Sequence, residues 1–336
     1  MTEGTPPAGA CPVEVRDLVK TYNGRAVVDG LTFAVQPGEV FALVGPNGAG
    51  KTTTVEILEG YRRPDGGFAR VLGLDPARQG AELKPRIGLM LQQGGLFPQI
   101  TPREALRLFA AFYPNAEDPD KLIDQLELGE AASTRFRHLS GGQKQRLSLG
   151  LALVGRPRLV FLDEPTAAMD PQARRSTWSI IRGLRDSGTT VLLTTHFMDE
   201  AEQLANRVAI MNRGRLVALD TPAGLRQAVA NEVRFATRPA VGEDEVAAAL
   251  DLPRPAVACE NDGTLVLHME PTPARLAQLT TWLAARNVLL TELRAGSRSL
   301  EQAFLTITAA RDQPDETTLP AAYFVRGSDA SVDRLP

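Results

Sequence analysis

The sequence is poor in cysteine and lacks any long apolar run. Only two of 336 residues are cysteine, Cys11 and Cys259, too few for a disulfide framework or a cysteine metal site, and their scarcity suits a reducing compartment. No apolar stretch approaches the roughly 18–20 residues that span a bilayer. Residues 1–12 lack the basic and apolar regions of a signal peptide. We therefore expect a cytoplasmic protein whose membrane role, if it has one, is peripheral.

Positive charge is not in excess either. The chain has 37 Lys+Arg against 40 Asp+Glu, a formal net charge of −3, which argues against a generally basic nucleic-acid binder. Hydrophobic residues make up 43% and charged residues 23%, so the chain is too apolar to be largely disordered. Its length exceeds the roughly 100–200 residues of one domain, and two domains are expected.

Short apolar runs alternate with helical patterns from Val13 to about Asp220. Three runs are continuous, as in strands buried on both faces; they cover residues 39–45, 158–165 and 189–196. Helical stretches lie between them, at residues 143–154 and 171–185. This alternation predicts an α/β fold with a largely parallel sheet, whose sites lie at the carboxyl ends of the strands.

The pattern changes near Thr221, after a predicted hairpin at residues 208–219. A β-α-β-β-α-β-α order follows, which is compatible with a small α+β, ferredoxin-like domain. Its elements are expected near residues 232–237, 243–250, the turn 261–263, 273–286, 288–294 and 299–309. The predicted division is a tail at 1–12, a first domain at 13–221, a second at 222–310 and a flexible tail at 311–336.

A glycine-rich stretch lies between the first continuous run and a helical stretch. It consists of Gly45, Pro46, Asn47, Gly48, Ala49, Gly50, Lys51, Thr52 and Thr53. This is the G-x-x-x-x-G-K-[ST] pattern in the strand–loop–helix setting of a phosphate-binding loop. Glycines let backbone N–H groups converge on phosphate oxygens, and the helix dipole aims at the same anion. Lys51 would reach the β- and γ-phosphates and Thr52 would ligate Mg²⁺. The alternative is an ordinary glycine-rich turn, but chance alone gives this pattern in only roughly 1% of chains this long.

Polar side chains end the other two continuous runs. Asp163, beside a phosphate loop, is placed to hold Mg²⁺ through water, and Glu164 is placed to polarise the water that attacks the γ-phosphate. His196 ends the next run and can donate a hydrogen bond to the γ-phosphate or that water. The alternatives are surface acids at a strand end and a satisfied surface histidine, and Lys51 earlier in the chain disfavours the first.

A second anion site is expected where another helix begins. Its residues are Ser140, Gly141, Gly142 and Gln143, after Leu139. Ser140 is a good N-cap and the glycines leave backbone N–H groups open. The local alternatives are a capped helix start with a spare anion site and a second sensor of the γ-phosphate.

Together these motifs resemble the ATP-binding-cassette (ABC) ATPases in order and spacing. The resemblance covers roughly residues 13–220 and implies the P-loop NTPase fold of that family, a mixed sheet with a helical subdomain at about 93–138. It also implies ATP and Mg²⁺ as ligands. In the implied head-to-tail homodimer, the Ser140 stretch of one subunit closes over ATP on the phosphate loop of the other.

Three further positions match the family. Tyr22 corresponds to the aromatic residue that stacks on adenine, although a strand aromatic packed in the sheet is the alternative. Gln92 corresponds to the glutamine that contacts Mg²⁺; Gln93 is adjacent, and the spacing to residues 96–98 favours Gln92. Asp170 corresponds to the dimer-contact aspartate. The family often has Ser-Gly-Leu before this aspartate, whereas residues 167–169 of this chain are Ala-Ala-Met. A side-chain hydrogen bond made by the family's serine is therefore in doubt in this chain.

The resemblance implies the nucleotide-binding subunit of a transporter, on the inner face of the membrane. A separate integral permease would dock on the helical subdomain, to which residues 94–98 supply exposed apolar groups. One cassette followed by a smaller domain resembles the daunorubicin-resistance type of export ATPases, for efflux of drugs, antibiotics or lipids. A soluble ABC ATPase of DNA repair or translation is the alternative, disfavoured by the single cassette, the acidic balance and the short spacing of Lys51 and Ser140. A metabolic P-loop kinase leaves residues 139–143 unexplained.

Overall fold

The structure, a computed structural model, describes residues 11–90, 96–167, 169–228, 233–260, 262–295 and 299–312. The chain divides into two compact units between Pro222 and Ala223. Gln92, Asn261 and nearly all of the two predicted tails lie outside the described residues. Within the described ranges, no helix has the length and apolar character needed to cross a bilayer.

The first unit alternates strands and helices. Its strands are β1 (Val13–Tyr22), β2 (Arg25–Val35), β3 (Val40–Val44), β4 (Gly66–Val71), β5 (Ile87–Met90), β6 (Leu159–Asp163), β7 (Thr190–Thr195), β8 (Arg207–Asn212) and β9 (Arg215–Asp220). Its helices are α1 (Lys51–Leu58), α2 (Gly80–Leu83), α3 (Pro102–Ala110), α4 (Pro119–Gln125), α5 (Gly141–Leu153), α6 (Pro171–Asp186) and α7 (Met198–Leu204). Single 3₁₀ turns lie at Lys84–Arg86 and Phe136–His138.

A six-stranded sheet forms the centre of this unit, in the order β5-β6-β7-β3-β8-β9. Its first five strands are parallel and β9 is antiparallel to β8. All residues of β3, β6 and β7 are buried, as expected for strands covered on both faces. The register pairs Val44 with Thr195 and Asp163 with Thr194, so the ends of these three strands meet at one edge of the sheet.

A second sheet of three antiparallel strands, β2-β1-β4, packs against the first. Residues of both sheets share one apolar cluster, and the rings of Phe33 and Phe41 stack with centroids 5.2 Å apart. This packing places the middle of β2 and the turn between β8 and β9 beside the segment that follows β3. Gly214 N, for example, donates to Ala49 O at 3.0 Å, and Asp29 N donates to Gly214 O at 2.9 Å.

Residues 96–138 carry the short helices α3 and α4, which pack on α5. Helix α3 begins with a capping box in which Thr101 and Glu104 exchange side-chain and backbone hydrogen bonds. Gly150 in α5 allows close approach, because a Cβ there would lie 2.5 Å from Leu126 Cδ1. Helix α5 begins at Gly141, two residues before the predicted start, because Ser140 caps it.

The second unit is a small α+β domain. Its elements are α8 (Pro222–Ala228), β10 (Val233–Arg238), α9 (Glu243–Ala249), a 3₁₀ turn (Arg254–Ala256), β11 (Val257–Cys259), β12 (Leu265–Leu267), α10 (Pro273–Ala285), β13 (Leu289–Ala295) and α11 (Leu300–Asp312). The sheet order is β11-β12-β10-β13, with every neighbouring pair antiparallel. This is the ferredoxin-like arrangement. Its own apolar core includes residues from β10, α9 and α10.

Candidate functional site

The loop after β3 has a backbone that only glycine can form at two positions. A Cβ at Gly45 would lie 2.4 Å from Met211 O, and one at Gly50 would lie 2.4 Å from Val27 O. Gly50 also has φ of 101°, in the left-handed region. The loop therefore curls tightly against its neighbours before α1 begins at Lys51.

Lys51 lies inside this loop rather than in solvent. Its Nζ donates to Gly45 O at 2.7 Å and to Pro46 O at 3.2 Å. Burial lowers the pKa of Lys51, and the charges of Glu164 and Asp163 oppose that effect. The neighbouring Thr52 is exposed. Because the first backbone N–H groups of a helix have no partner within it, the start of α1 offers several donors beside one ammonium group, the chemistry that a phosphate needs.

Asp163 ends β6 next to this loop. Its side chain is buried, and Thr194 Oγ1 donates a hydrogen bond to Asp163 Oδ1. Burial raises the pKa of Asp163, while the Thr194 hydrogen bond and the Lys51 charge counteract the rise. The structure thus brings Asp163 and Lys51 into one electrostatic environment.

Glu164 and His196 contact each other at the ends of their strands. His196 Nδ1 lies 3.1 Å from Glu164 Oε1. The Glu164 side chain is 18% exposed and that of His196 is 44% exposed, so the pair is open to solvent on the histidine side. Glu164 N donates to Thr194 O at 3.1 Å. A carboxylate held by a ring nitrogen at the mouth of the loop is arranged to accept a proton from water.

The Ser140 stretch forms a capping box at the start of α5. Ser140 Oγ accepts from Gln143 N at 3.2 Å, and Gln143 Oε1 accepts from Ser140 N at 2.9 Å. Ser140 and Gly141 are exposed. None of the side-chain hydrogen bonds of residues 140–143 in the described part of the chain reaches the phosphate loop.

Tyr22 and Asp170 take separate positions. Tyr22 ends β1 and is half-buried, with Lys20 Nζ and Arg62 Cζ each 5.5 Å from its ring centroid. Asp170 caps α6, since its Oδ1 accepts from the backbone N–H groups of residues 172 and 173, both at 2.9 Å. Those hydrogen bonds lower the pKa of Asp170. The Gln92 prediction falls outside the described residues.

A buried glutamate supports the site without a sequence signal. Glu200 in α7 is fully buried, and its Oε1 accepts from Thr166 Oγ1 at 2.7 Å and from Trp178 Nε1 at 3.1 Å. Burial raises the pKa of Glu200. Its carboxyl group joins the segment after Glu164 to α6 and to the helix after His196. In the sequence it looks like any acid of a solvated helix.

Known proteins are similar in sequence to this chain over most of its length. The daunorubicin/doxorubicin resistance ATP-binding protein DrrA of Streptomyces peucetius is 35% identical over 320 residues, which cover 92% of this chain and 96% of that protein. The chain belongs to the ABC transporter family. A family profile described as ABC transporter matches residues 28–167. The Nod factor export ATP-binding protein I of Paraburkholderia xenovorans strain LB400 is 38% identical over 277 residues, 79% of this chain and 90% of that one.

Solved ABC structures agree with the fold. An ATP-binding subunit of an ABC transporter superposes with a TM-score of 0.59 at 30% identity, covering 64% of this chain and 92% of that one. The ATP-binding cassette MJ0796, a dimer with ADP and Pi, superposes with a TM-score of 0.58 at 24% identity, covering 62% of this chain and 98% of that one. The predicted family and fold are therefore confirmed, and this chain is an ATP-binding, ATP-hydrolysing subunit of an ABC transporter.

Proposed function

We propose that this ABC ATPase powers an exporter, as a homodimer bound to a separate integral permease. The similarity that carries the proposal runs through both units: the relative matched over 92% of this chain is a daunorubicin/doxorubicin resistance ATP-binding protein. A second relative, matched over 79%, is a Nod factor export protein. Drugs, antibiotics and lipids are the cargo classes in keeping with such relatives.

ATP fits the loop after β3. The tight curl at Gly45 and Gly50 leads into the start of α1, whose first backbone N–H groups have no partner within the helix, and Lys51 adds a cation there. The proposed phosphate ligands are the loop residues Gly45, Pro46, Asn47, Gly48, Ala49, Gly50, Lys51, Thr52 and Thr53. Tyr22 at the end of β1 is the proposed residue that stacks on adenine. Its side chain is only half-buried, and Lys20 Nζ and Arg62 Cζ lie 5.5 Å from its ring centroid.

Mg²⁺ fits the oxygen donors near Lys51. Mg²⁺ in nucleotide sites takes one or two carboxylates together with substrate phosphates, rather than a protein cage. This agrees with the described residues, among which no cluster of three metal-binding His, Cys, Asp or Glu side chains occurs. We assign Thr52 and Asp163 as ligands, with Gln92 as a third. The bound cation would neutralise charge on the β- and γ-phosphates.

Glu164 is the proposed base for hydrolysis. Its carboxylate is mostly shielded from water and contacts His196 Nδ1 at 3.1 Å, which fixes its orientation. Glu164 would take a proton from the attacking water, while His196 keeps the carboxylate turned towards the loop. Lys51 would stabilise the negative charge that develops on the transferred phosphoryl group.

The second subunit is proposed to complete each site. Ser140, Gly141, Gly142 and Gln143 form an exposed helix start whose hydrogen bonds stay within their own capping box. Such an N-terminus binds anions, and the γ-phosphate on the loop of the other subunit supplies one. Asp170, which caps the neighbouring α6, is the proposed contact across the dimer.

An exposed apolar surface near α3 is the proposed permease contact. Phe97 is 75% exposed and Phe112 is 73% exposed, and Leu108 lies with them in residues 96–112. Large apolar side chains left in water mark interaction surfaces. A permease docked there would hold the ATPase on the inner face of the membrane.

Copurification tests the proposal. Tagged wild-type protein, expressed in its native host and extracted in mild detergent, is expected to retain a six-span membrane protein. The double variant Phe97→Ser/Phe112→Ser should lose that protein yet keep its ATPase activity, while Phe68→Ser, at an exposed aromatic on β4, should keep both. Retention of no integral membrane protein by the wild type would contradict the transporter assignment.

A further inference from the structure

The backbone of Glu164 has an unusual conformation. Its φ is +49°, in the left-handed region that side-chain-bearing residues seldom adopt. Such a conformation persists only where surrounding contacts hold it. On one side, Glu164 N donates to Thr194 O at 3.1 Å and to Thr194 Oγ1 at 3.3 Å. These bonds attach the residue to β7, beside His196.

On the other side, Glu164 is held by α5. Gln145 Nε2 donates to the backbone oxygen of Glu164 at 3.3 Å. The acceptor is a carbonyl, so the amide nitrogen of Gln145 must face it. Gln145 is partly buried, and its neighbours on α5 also lie near the same segment: a Cβ at Gly142 would lie 3.8 Å from Met169 Cγ.

Gln145 and Ser140 belong to the same short stretch of helix. They are five residues apart, about 7.5 Å along the axis, and the capping box joins Ser140 to Gln143 between them. A shift of Ser140 is therefore transmitted to Gln145 through hydrogen-bonded helix rather than through a loop. Since Gln145 contacts the main chain of Glu164, the shift reaches the backbone that carries the carboxylate.

We propose that Gln145 is a positioning residue that couples the two ATP sites of the dimer. The inference rests on the proposed function, because there Ser140 serves the nucleotide of the second subunit while Glu164 serves its own. Closure of α5 on that nucleotide fixes the position of the Gln145 side chain. Gln145 in turn fixes the position of the Glu164 carbonyl and thereby the direction of the Glu164 carboxylate. Each site is thus made competent by occupation of the other.

Two variants remove the link. Gln145→Met keeps the length of the side chain without a donor, and Gln145→Asn keeps the amide but shortens its reach. Gln125→Met is the matched control, since Gln125 is an exposed residue at the end of α4. ATPase rate is measured against ATP concentration, nucleotide affinity with a fluorescent ATP analogue, and folding by thermal unfolding.

The wild type and Gln125→Met are expected to show cooperative hydrolysis, with a Hill coefficient approaching about 2 for two sites. Both Gln145 variants should show a coefficient near 1 and a kcat lowered by roughly tenfold or more, with nucleotide affinity and unfolding temperature unchanged. A Gln145 variant that folds and keeps wild-type cooperativity overturns the coupling role alone. A wild type that stays monomeric and non-cooperative with ATP overturns the proposed dimer and the coupling together.

Discussion

At the scale of residues, the site consists of charged groups that the strands keep from water. Lys51 and Asp163 are both buried. Burial lowers the pKa of Lys51 and raises that of Asp163, which favours the neutral form of each, while the attraction between the two charges opposes both shifts. A phosphate and a divalent cation would each meet a partner of opposite charge there. Glu164 and His196 contact each other beside them and are the proposed proton-transfer pair.

Replacing Glu164 by Gln tests its role as a base. We expect Glu164→Gln to bind ATP, to lose hydrolysis by about 100-fold or more, and to accumulate as ATP-bound dimers. Phosphate release and analytical ultracentrifugation measure these effects, with the exposed Glu130→Gln as control. Full turnover by Glu164→Gln would remove the residue from the mechanism.

The buried Glu59 makes stability depend on pH. Burial, with the charges of Asp163 and Glu56, raises its pKa to about 8 from the ordinary value of 4.5. Between these values the folded chain holds a proton that the unfolded chain has lost. This residue therefore lowers the free energy of unfolding as pH rises from about 4.5 to about 8, by about 1.4 kcal/mol per unit.

Glu59→Gln cannot ionise and should remove this dependence. Relative to wild type, we expect its free energy of unfolding, from urea titrations, to fall less between about pH 5 and pH 8 and to be higher at pH 8. Glu130→Gln should follow the wild type. Parallel pH profiles for wild type and Glu59→Gln would show that Glu59 ionises in the folded protein.

The sequence allowed some of these residues to be predicted and hid others. Lys51 and Glu164 lie in sequence motifs that few other kinds of structure require. Gln145, Glu59 and Glu200 do not, because a glutamine or glutamate within or at the end of a helix looks the same in the sequence whether its side chain faces solvent or the interior. Only the packing of distant segments determines the surroundings of these side chains.

At the scale of elements, continuous apolar runs were reliable guides. The predicted runs at 39–45, 158–165 and 189–196 form β3, β6 and β7, since a strand buried on both faces needs no alternation. The strand order could not be read from these runs, because β7 lies between β6 and β3 by long-range pairing. The start of α5 at Gly141 agrees with the N-cap expected at Ser140, whereas the helical pattern alone began at residue 143.

Substitutions of Glu200 test whether its hydrogen bonds stabilise the packing of the elements around the site. Glu200→Ala leaves the Thr166 hydroxyl and the Trp178 indole N–H buried without an acceptor, each worth about 1–3 kcal/mol. We expect a loss of about 2–5 kcal/mol in the free energy of unfolding, measured in urea. Glu200→Gln keeps an oxygen acceptor and should lose less than about 1 kcal/mol. Equal losses for the two variants would mean that these hydrogen bonds do not stabilise the fold.

At the scale of the whole molecule, the cassette and the second unit occur together in relatives. The match to the Streptomyces peucetius protein spans both, whereas the ATP-binding subunit matched among solved structures covers 64% of the chain. Family membership was readable from the motifs of the first unit alone. The role of residues 223–312 was not, since no motif there carries chemistry.

The most direct test of the shared-site dimer mixes two inactive variants. Lys51→Ala should lose its own phosphate loop, and Ser140→Arg should block closure over the ATP of its partner while leaving monomer affinity for ATP nearly intact. In a mixed dimer one site keeps an intact Lys51 from one chain and an intact Ser140 from the other. We predict that each variant alone hydrolyses almost no ATP. Random pairing leaves about a quarter of the sites in an equimolar mixture intact, and we expect activity above that of the separate components but well below a quarter of the wild-type rate, because the second site of each mixed dimer stays empty. Wild-type turnover by Ser140→Arg alone, or a mixture no more active than its separate components, would contradict the dimer.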